Sequence, residues 1–253
     1  MKLIRIIFLL FSVLFSAQKE FPIVVKDSLK DVFLDDFNNL YLCKNNDFSF
    51  SKYDSLGIKI AEVRFPYPFR VQSVENPLNI FVFSENAQEL KILDQNLNEI
   101  QNINLISKFG HIKALFIEDL QFAWLLDSAN KSLVQYNYRD SKVINSFPLK
   151  TDISNVADFL VFNNLLYILK EKTFVVFDIT FNKINEKEIV SGKKIRRENN
   201  NIYVIEKSSI SVYNSNQDFY QVFSKQNNTI VEKNSNHFLA LIGDKFYLYK
   251  LEK

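Results

Sequence analysis

This 253-residue chain holds one cysteine, one tryptophan, one methionine, two histidines, four glycines and five prolines, and most of these scarcities exclude something. Cys43 has no partner for an internal disulfide, so the fold must stand without one. It falls in a predicted strand with no His and third group nearby, which makes it a buried, inert thiol rather than a nucleophile. His111 and His237 have no His, Cys or carboxylate at metal-ligand spacing, so neither a metal nor a cofactor is expected. A G-x-S-x-G elbow, an H-E-x-x-H helix, a phosphate loop and a dinucleotide glycine pattern are all missing. Acidic pairs such as Asp35-Asp36 and Glu118-Asp119 fall at strand ends and turns, where solvation explains them better than glycosidase chemistry does. The expectation is a protein that is not an enzyme.

Charge of one sign is lacking as well. Lys and Arg number 31 against 29 Asp and Glu, which is no electrostatic footprint for nucleic acid. Lys2 and Arg5, the apolar residues 6–15 and the small pair Ser16-Ala17 read as a secretory signal peptide over residues 1–17. The apolar run is too short for a spanning helix, which needs about 20 residues. Cleavage would remove Lys2 and Arg5 and leave 29 basic against 29 acidic residues. Residues 18–253 then form a single domain, exported, with no transmembrane segment. The periplasm is the expected site; secretion or association with the outer membrane are the alternatives.

Glycine is scarce for a chain with so many turns, and Asn, Asp and Ser take its place. They tolerate left-handed backbone or bond their own main chain. Turn anchors recur at Asn39, Asn79, Gln121, Asn164, Asn201 and Asn236 or His237. About 15 residues after each comes a second anchor, at Tyr53-Asp54, Leu93-Asp94, Tyr136-Asn137, Phe177-Asp178, Tyr213-Asn214 and Tyr249-Lys250. Both series repeat every 36 to 43 residues. Each unit divides into four short strands, and no helix-period stretch follows the leader. A strand-only repeat of this length predicts a β-propeller. Second strands such as Ile80-Phe81-Val82-Phe83 and Phe122-Ala123-Trp124-Leu125-Leu126 are apolar at consecutive positions, as strands covered on both faces are. The last unit offers only three strands, while residues 22–26 offer a spare one. The prediction is an all-β, six-bladed β-propeller closed by that N-terminal strand.

Two segments are candidate sites. Arg64-Phe65-Pro66-Tyr67-Pro68-Phe69-Arg70 joins the first two blades, its rings stiffened by proline. Aromatics and Arg concentrate binding energy at interfaces, so Arg64, Phe65, Tyr67, Phe69 and Arg70 are protein-contact candidates; rings folded back between blades are the alternative. In the innermost strand of the fifth blade, alternation places Lys194 and Arg196 on one side, where they would line the channel and hold an anion; a solvated, salt-bridged strand is the alternative. Three Asp-Ser-apolar triplets (Asp27-Ser28-Leu29, Asp54-Ser55-Leu56, Asp127-Ser128-Ala129) resemble the O-glycosylation acceptor of exported Bacteroidota proteins and are also good turn sequences.

Phe15-Ser16-Ala17-Gln18, the Lys/Asn/Ile/Phe-heavy composition, residues 76–105 and the Trp124-Leu125-Leu126-Asp127 to Asp140 stretch are similar to a group of small exported flavobacterial propeller-like proteins. The resemblance covers most of the mature chain and carries structural motifs only. The group is taken to include the plug at the periplasmic opening of the type 9 secretion translocon. What the resemblance implies is a protein partner in an outer-membrane translocon. The last expected strand runs almost to Lys253, which leaves no C-terminal sorting domain of the kind a surface-delivered cargo carries. The function expected is therefore a protein-binding platform in the periplasm, with a carbohydrate- or small-ligand-binding or -processing propeller as the alternative.

Overall fold

The structure, a computed structural model, describes residues 19–25, 28–214, 216–225 and 230–251. The leader expected over residues 1–17 lies outside these residues, as do Lys26, Asp27 and Thr229. Among the described residues, twenty-four strands form six four-stranded antiparallel sheets, which are the six blades of a β-propeller.

Blade 1 is β2 (Leu29–Leu34), β3 (Leu40–Lys44), β4 (Ser49–Tyr53) and β5 (Lys59–Arg64). Blade 2 is β6 (Arg70–Ser73), β7 (Ile80–Ser84), β8 (Glu89–Leu93) and β9 (Glu99–Asn104). A one-turn helix, α1 (Ile106–Phe109), leads into blade 3: β10 (Ile112–Ile117), β11 (Phe122–Asp127), β12 (Ser132–Asn137) and β13 (Lys142–Pro148). Blade 4 is β14 (Val156–Phe162), β15 (Leu165–Lys170), β16 (Thr173–Asp178) and β17 (Lys183–Glu188). Blade 5 is β18 (Gly192–Glu198), β19 (Asn201–Glu206), β20 (Ser209–Tyr213) and β21 (Phe219–Ser224). Blade 6 takes β22 (Ile230–Lys233), β23 (His237–Ile242) and β24 (Lys245–Lys250) from the end of the chain. Its outer strand is β1 (Lys19–Val24), antiparallel to β24 with Phe21 opposite Phe246. The spare strand thus closes the ring, three residues earlier than its expected start.

The core is six wedges, one between each pair of neighbouring blades. Successive residues of a second strand feed opposite wedges, which is why those strands read as unbroken apolar runs. Phe81 and Phe83 pack between blades 2 and 3, while Ile80 and Val82 pack between blades 1 and 2. Ala123 and Leu125 face blade 2; Trp124 and Leu126 face blade 4.

The second anchors have a local cause. The Oδ1 of Asp54 accepts the backbone N–H groups of Leu56 and Ile58, and those of Asp94, Asp178 and Asn214 accept their own i+2 and i+4 N–H groups. Each caps the hairpin between the third and fourth strands of its blade. In blade 6 the strand beyond β24 in the sheet is β1, and Lys250 stands at the position that the capping Asp or Asn holds elsewhere. Left-handed Asn163 and Asn164, at φ 50° and 59°, supply the tight turn that glycine would otherwise make.

One local feature was not expected. In five of the six innermost strands the pairing with the second strand slips by one residue near the strand's start. The residues bulged out are Lys30, Gln72, Lys113, Ala157 and Lys193. With the bulges included, β2 begins at Leu29 and β18 at Gly192.

A candidate binding mouth at the start of the inner strands

Bulges re-aim side chains, and here they gather them. Four of the five bulged residues, Lys30, Gln72, Ala157 and Lys193, line one cavity of about 280 Å³ at the mouth where the inner strands begin. Phe69, Arg70, Lys194 and Arg196 line it too. The structure therefore brings together, in one cavity, the ends of two segments that the sequence marks separately.

The members differ in their surroundings. Lys194 is buried, its ammonium held by Asp31 at 2.8 Å, by Glu232, and by the Val32 carbonyl at 2.8 Å, with the Phe33 ring 3.7 Å below. Arg196 pairs with Glu232 at 3.3 Å and donates to the Lys233 carbonyl at 3.0 Å. Both cations are thus neutralised, and Glu232 is fully buried between them. Their pairs run from blade 5 to blades 1 and 6 and tie the channel wall together. Arg70 donates across the channel to the Ala157 carbonyl at 2.9 Å. The channel is stapled rather than open.

Of the connecting segment, Phe69 is buried, its ring 4.5 Å from that of Phe65 at a tilt of 56° and edge-on at 6.1 Å to Phe50. Phe65 is half-buried beside it. Tyr67 is half-exposed, at 51%. Arg64 lies out on the surface, 3.5 Å from both Asp47 and Glu62. One ring faces solvent, and the others pack between blades 1 and 2.

Asp158 is the unusual carboxyl of the wall. Desolvation pushes it up from 3.8 to about 6, against hydrogen bonds from the Ile195 and Phe159 N–H groups and the charges of Arg70 and Lys194. Burial likewise holds the Cys43 thiol, beneath the cavity, above its ordinary range. Desolvation lowers Lys30, and the positive charge of Arg70 adds to that. Among the described residues no three His, Cys, Asp or Glu side chains are placed to hold a metal ion, and no helix is long and apolar enough to cross a membrane.

Ring, closure and mouth define a β-propeller. Solved structures agree on that class. A member of the DUF4221 family from Bacteroides vulgatus matches with a TM-score of 0.59 at 12% identity, over 93% of this chain and 96% of that one. A streptogramin B lyase matches with a TM-score of 0.56 at 12% identity, over 93% and 98%. Virginiamycin B lyase from Staphylococcus aureus matches with 0.54 at 10% identity, over 93% and 99%. At such identities the likeness is one of fold. No protein-family model matches the chain, and no curated protein matches its sequence.

Proposed function

We propose that this propeller is an exported, non-enzymatic platform in the periplasm. It docks a protein partner at the mouth where the inner strands begin, and it caps an outer-membrane secretion translocon there. One observation carries the reading: the proline-stiffened aromatic connection and the cation-rich channel wall share that mouth. Tyr67 offers an exposed ring whose backbone is already restrained, so ordering it on binding costs little entropy. The stapled channel suits a rigid cap better than a conduit.

The test is capture from detergent-solubilised envelope with the tagged chain. Tyr67→Ala should reduce recovery of translocon components while leaving Tm unchanged. Phe69→Ala is the wrong probe, because deleting this buried ring costs about 3–5 kcal/mol of fold stability. Undiminished recovery with Tyr67→Ala would remove this connection from the account, and recovery of no envelope protein would remove the platform reading.

A second reading, a propeller that processes a small ligand or carbohydrate, is favoured by the upward-shifted carboxyl of Asp158, a weakened acid at a channel mouth. Against it, Asp158 has an N–H bonded to each oxygen, and Asp31 is engaged by the Val32 N–H and Lys194. Glycan turnover abolished by Asp158→Asn in a folded variant would favour the processing reading.

A further inference from the structure

The cavity at this mouth is not electrically balanced. Five cations line it: Lys30, Arg70, Lys193, Lys194 and Arg196. Three carboxyls answer them: Asp31, Asp158 and, behind the wall, Glu232. The imbalance is also localised. Lys194 and Arg196 use the buried Glu232, and Lys194 also uses Asp31. Among the described residues, Lys30, Arg70 and Lys193 have no carboxylate within ion-pair distance. Lys30 instead donates to the Phe69 carbonyl at 2.6 Å, and Arg70 to that of Ala157.

These three lie at the opening, above the balanced network. Lys30 and Lys193 are bulge residues of blades 1 and 5, and Arg70 begins the inner strand of blade 2. A cationic rim over low-dielectric walls focuses potential toward an entering anion. The walls between the cations are Phe33, Phe69, Val71 and Ile195. They favour a ligand with a carbon body over an inorganic ion, and a planar guanidinium matches a carboxylate. The volume, about 280 Å³, sits near the lower bound for small-molecule sites.

We propose that this cavity seats an organic carboxylate, gripped by Arg70 and the two bulge lysines Lys30 and Lys193. The proposal rests on reading this mouth as the docking face, and it deepens that reading by naming the chemistry received there. The carboxylate belongs either to a free small molecule or to acidic side chains of the docked partner.

Calorimetric titration of the purified chain separates these sources. Citrate should bind with one-to-one stoichiometry, and inorganic phosphate more weakly, since the apolar walls do nothing for it. Lys30→Gln with Lys193→Gln should weaken citrate by about tenfold or more, as loss of charge-assisted contacts does, with Tm unchanged. Arg70→Lys should weaken it with less risk to the fold than a neutral replacement, because the charge stays and the fork is lost. A glutamate-rich peptide that displaces citrate, where its glutamine counterpart does not, would assign the seat to a partner's side chains. Citrate binding without such competition would assign it to a free carboxylate. Absence of binding by both probes, or binding undiminished in the double variant, overturns the proposal. Partner capture by the same double variant is scored separately, so the seat can fail while the docking reading stands.

Discussion

Asp158 concentrates the residue-scale physics of the channel. Its carboxyl is held near 6 in the fold and would titrate near 3.8 in the open chain, so the folded state keeps its proton longer. Ionisation therefore opposes folding. Stability contributed at this site is intact below about pH 4 and falls as pH rises toward about 6. By pH 7 the loss amounts to at most about 3 kcal/mol. Asp158→Asn cannot titrate and keeps one acceptor for the Ile195 or Phe159 N–H. Urea unfolding of both proteins should show the wild type losing ground to the variant by up to that amount between pH 4 and 7. A pH-independent difference would mean that the carboxyl titrates as it does in water.

At the scale of the element, short side chains stand in for scarce glycine by capping turns. Asp35 does so in a buried setting. It accepts from the N–H groups of Phe37 and Asn39, from the Asn39 amide and, at 3.0 Å, from the Tyr41 hydroxyl. Asp35→Ala would leave that fully buried hydroxyl unpaired and the turn uncapped, at a cost of about 2–4 kcal/mol. Asp94→Ala removes a turn of the same design at an exposed site, and its Tm should fall less; an equal fall would show that burial is not what makes Asp35 costly. The hairpin caps at Asp54, Asp94, Asp178 and Asn214 were legible because each needs an Asp or Asn at one place in a 36–43-residue period. Asp35, by contrast, which the sequence places in a solvated acidic pair, is buried against Tyr41. The inner bulges were not legible, since no one residue type marks them: Lys30, Lys113 and Lys193 are lysines, but Gln72 and Ala157 stand at the same place in their blades. The outer strands slip as well, at Ile60, Ile100, Ile144, Ile184 and Val222. Here a signal existed: a β-branched aliphatic six to eight residues after the capping Asp or Asn. Twisting each exposed edge in this way blunts its pairing with other chains.

For the whole molecule, blade number and closure followed from counting strands, but the mouth did not. Lys194 and Arg196 read as a lining free to take an anion; alternation along one strand cannot reveal that Glu232 and Asp31 arrive from blades 6 and 1. Nor can it show that bulges present Lys30 and Lys193 beside Arg70. Closure has its own three-dimensional condition. Strand β1 completes blade 6, and it also meets blade 1 at Gly57. There a Cβ would lie 2.7 Å from the Pro22 carbonyl oxygen, on backbone already at φ +80°. Gly57→Ala thus carries two penalties, left-handed backbone of about 1–2 kcal/mol and a collision that pushes the closing strand outward. Gly243, at φ +64° with nothing within 4 Å of its would-be Cβ, carries only the first. Gly57→Ala should therefore lower Tm more than Gly243→Ala. It alone should raise hydrogen exchange in β1 and its partner β24, because the backbone pairing between them is what the displacement loosens. Equal Tm losses with unchanged exchange in β1 would mean that the ring is held shut by blade 6 alone.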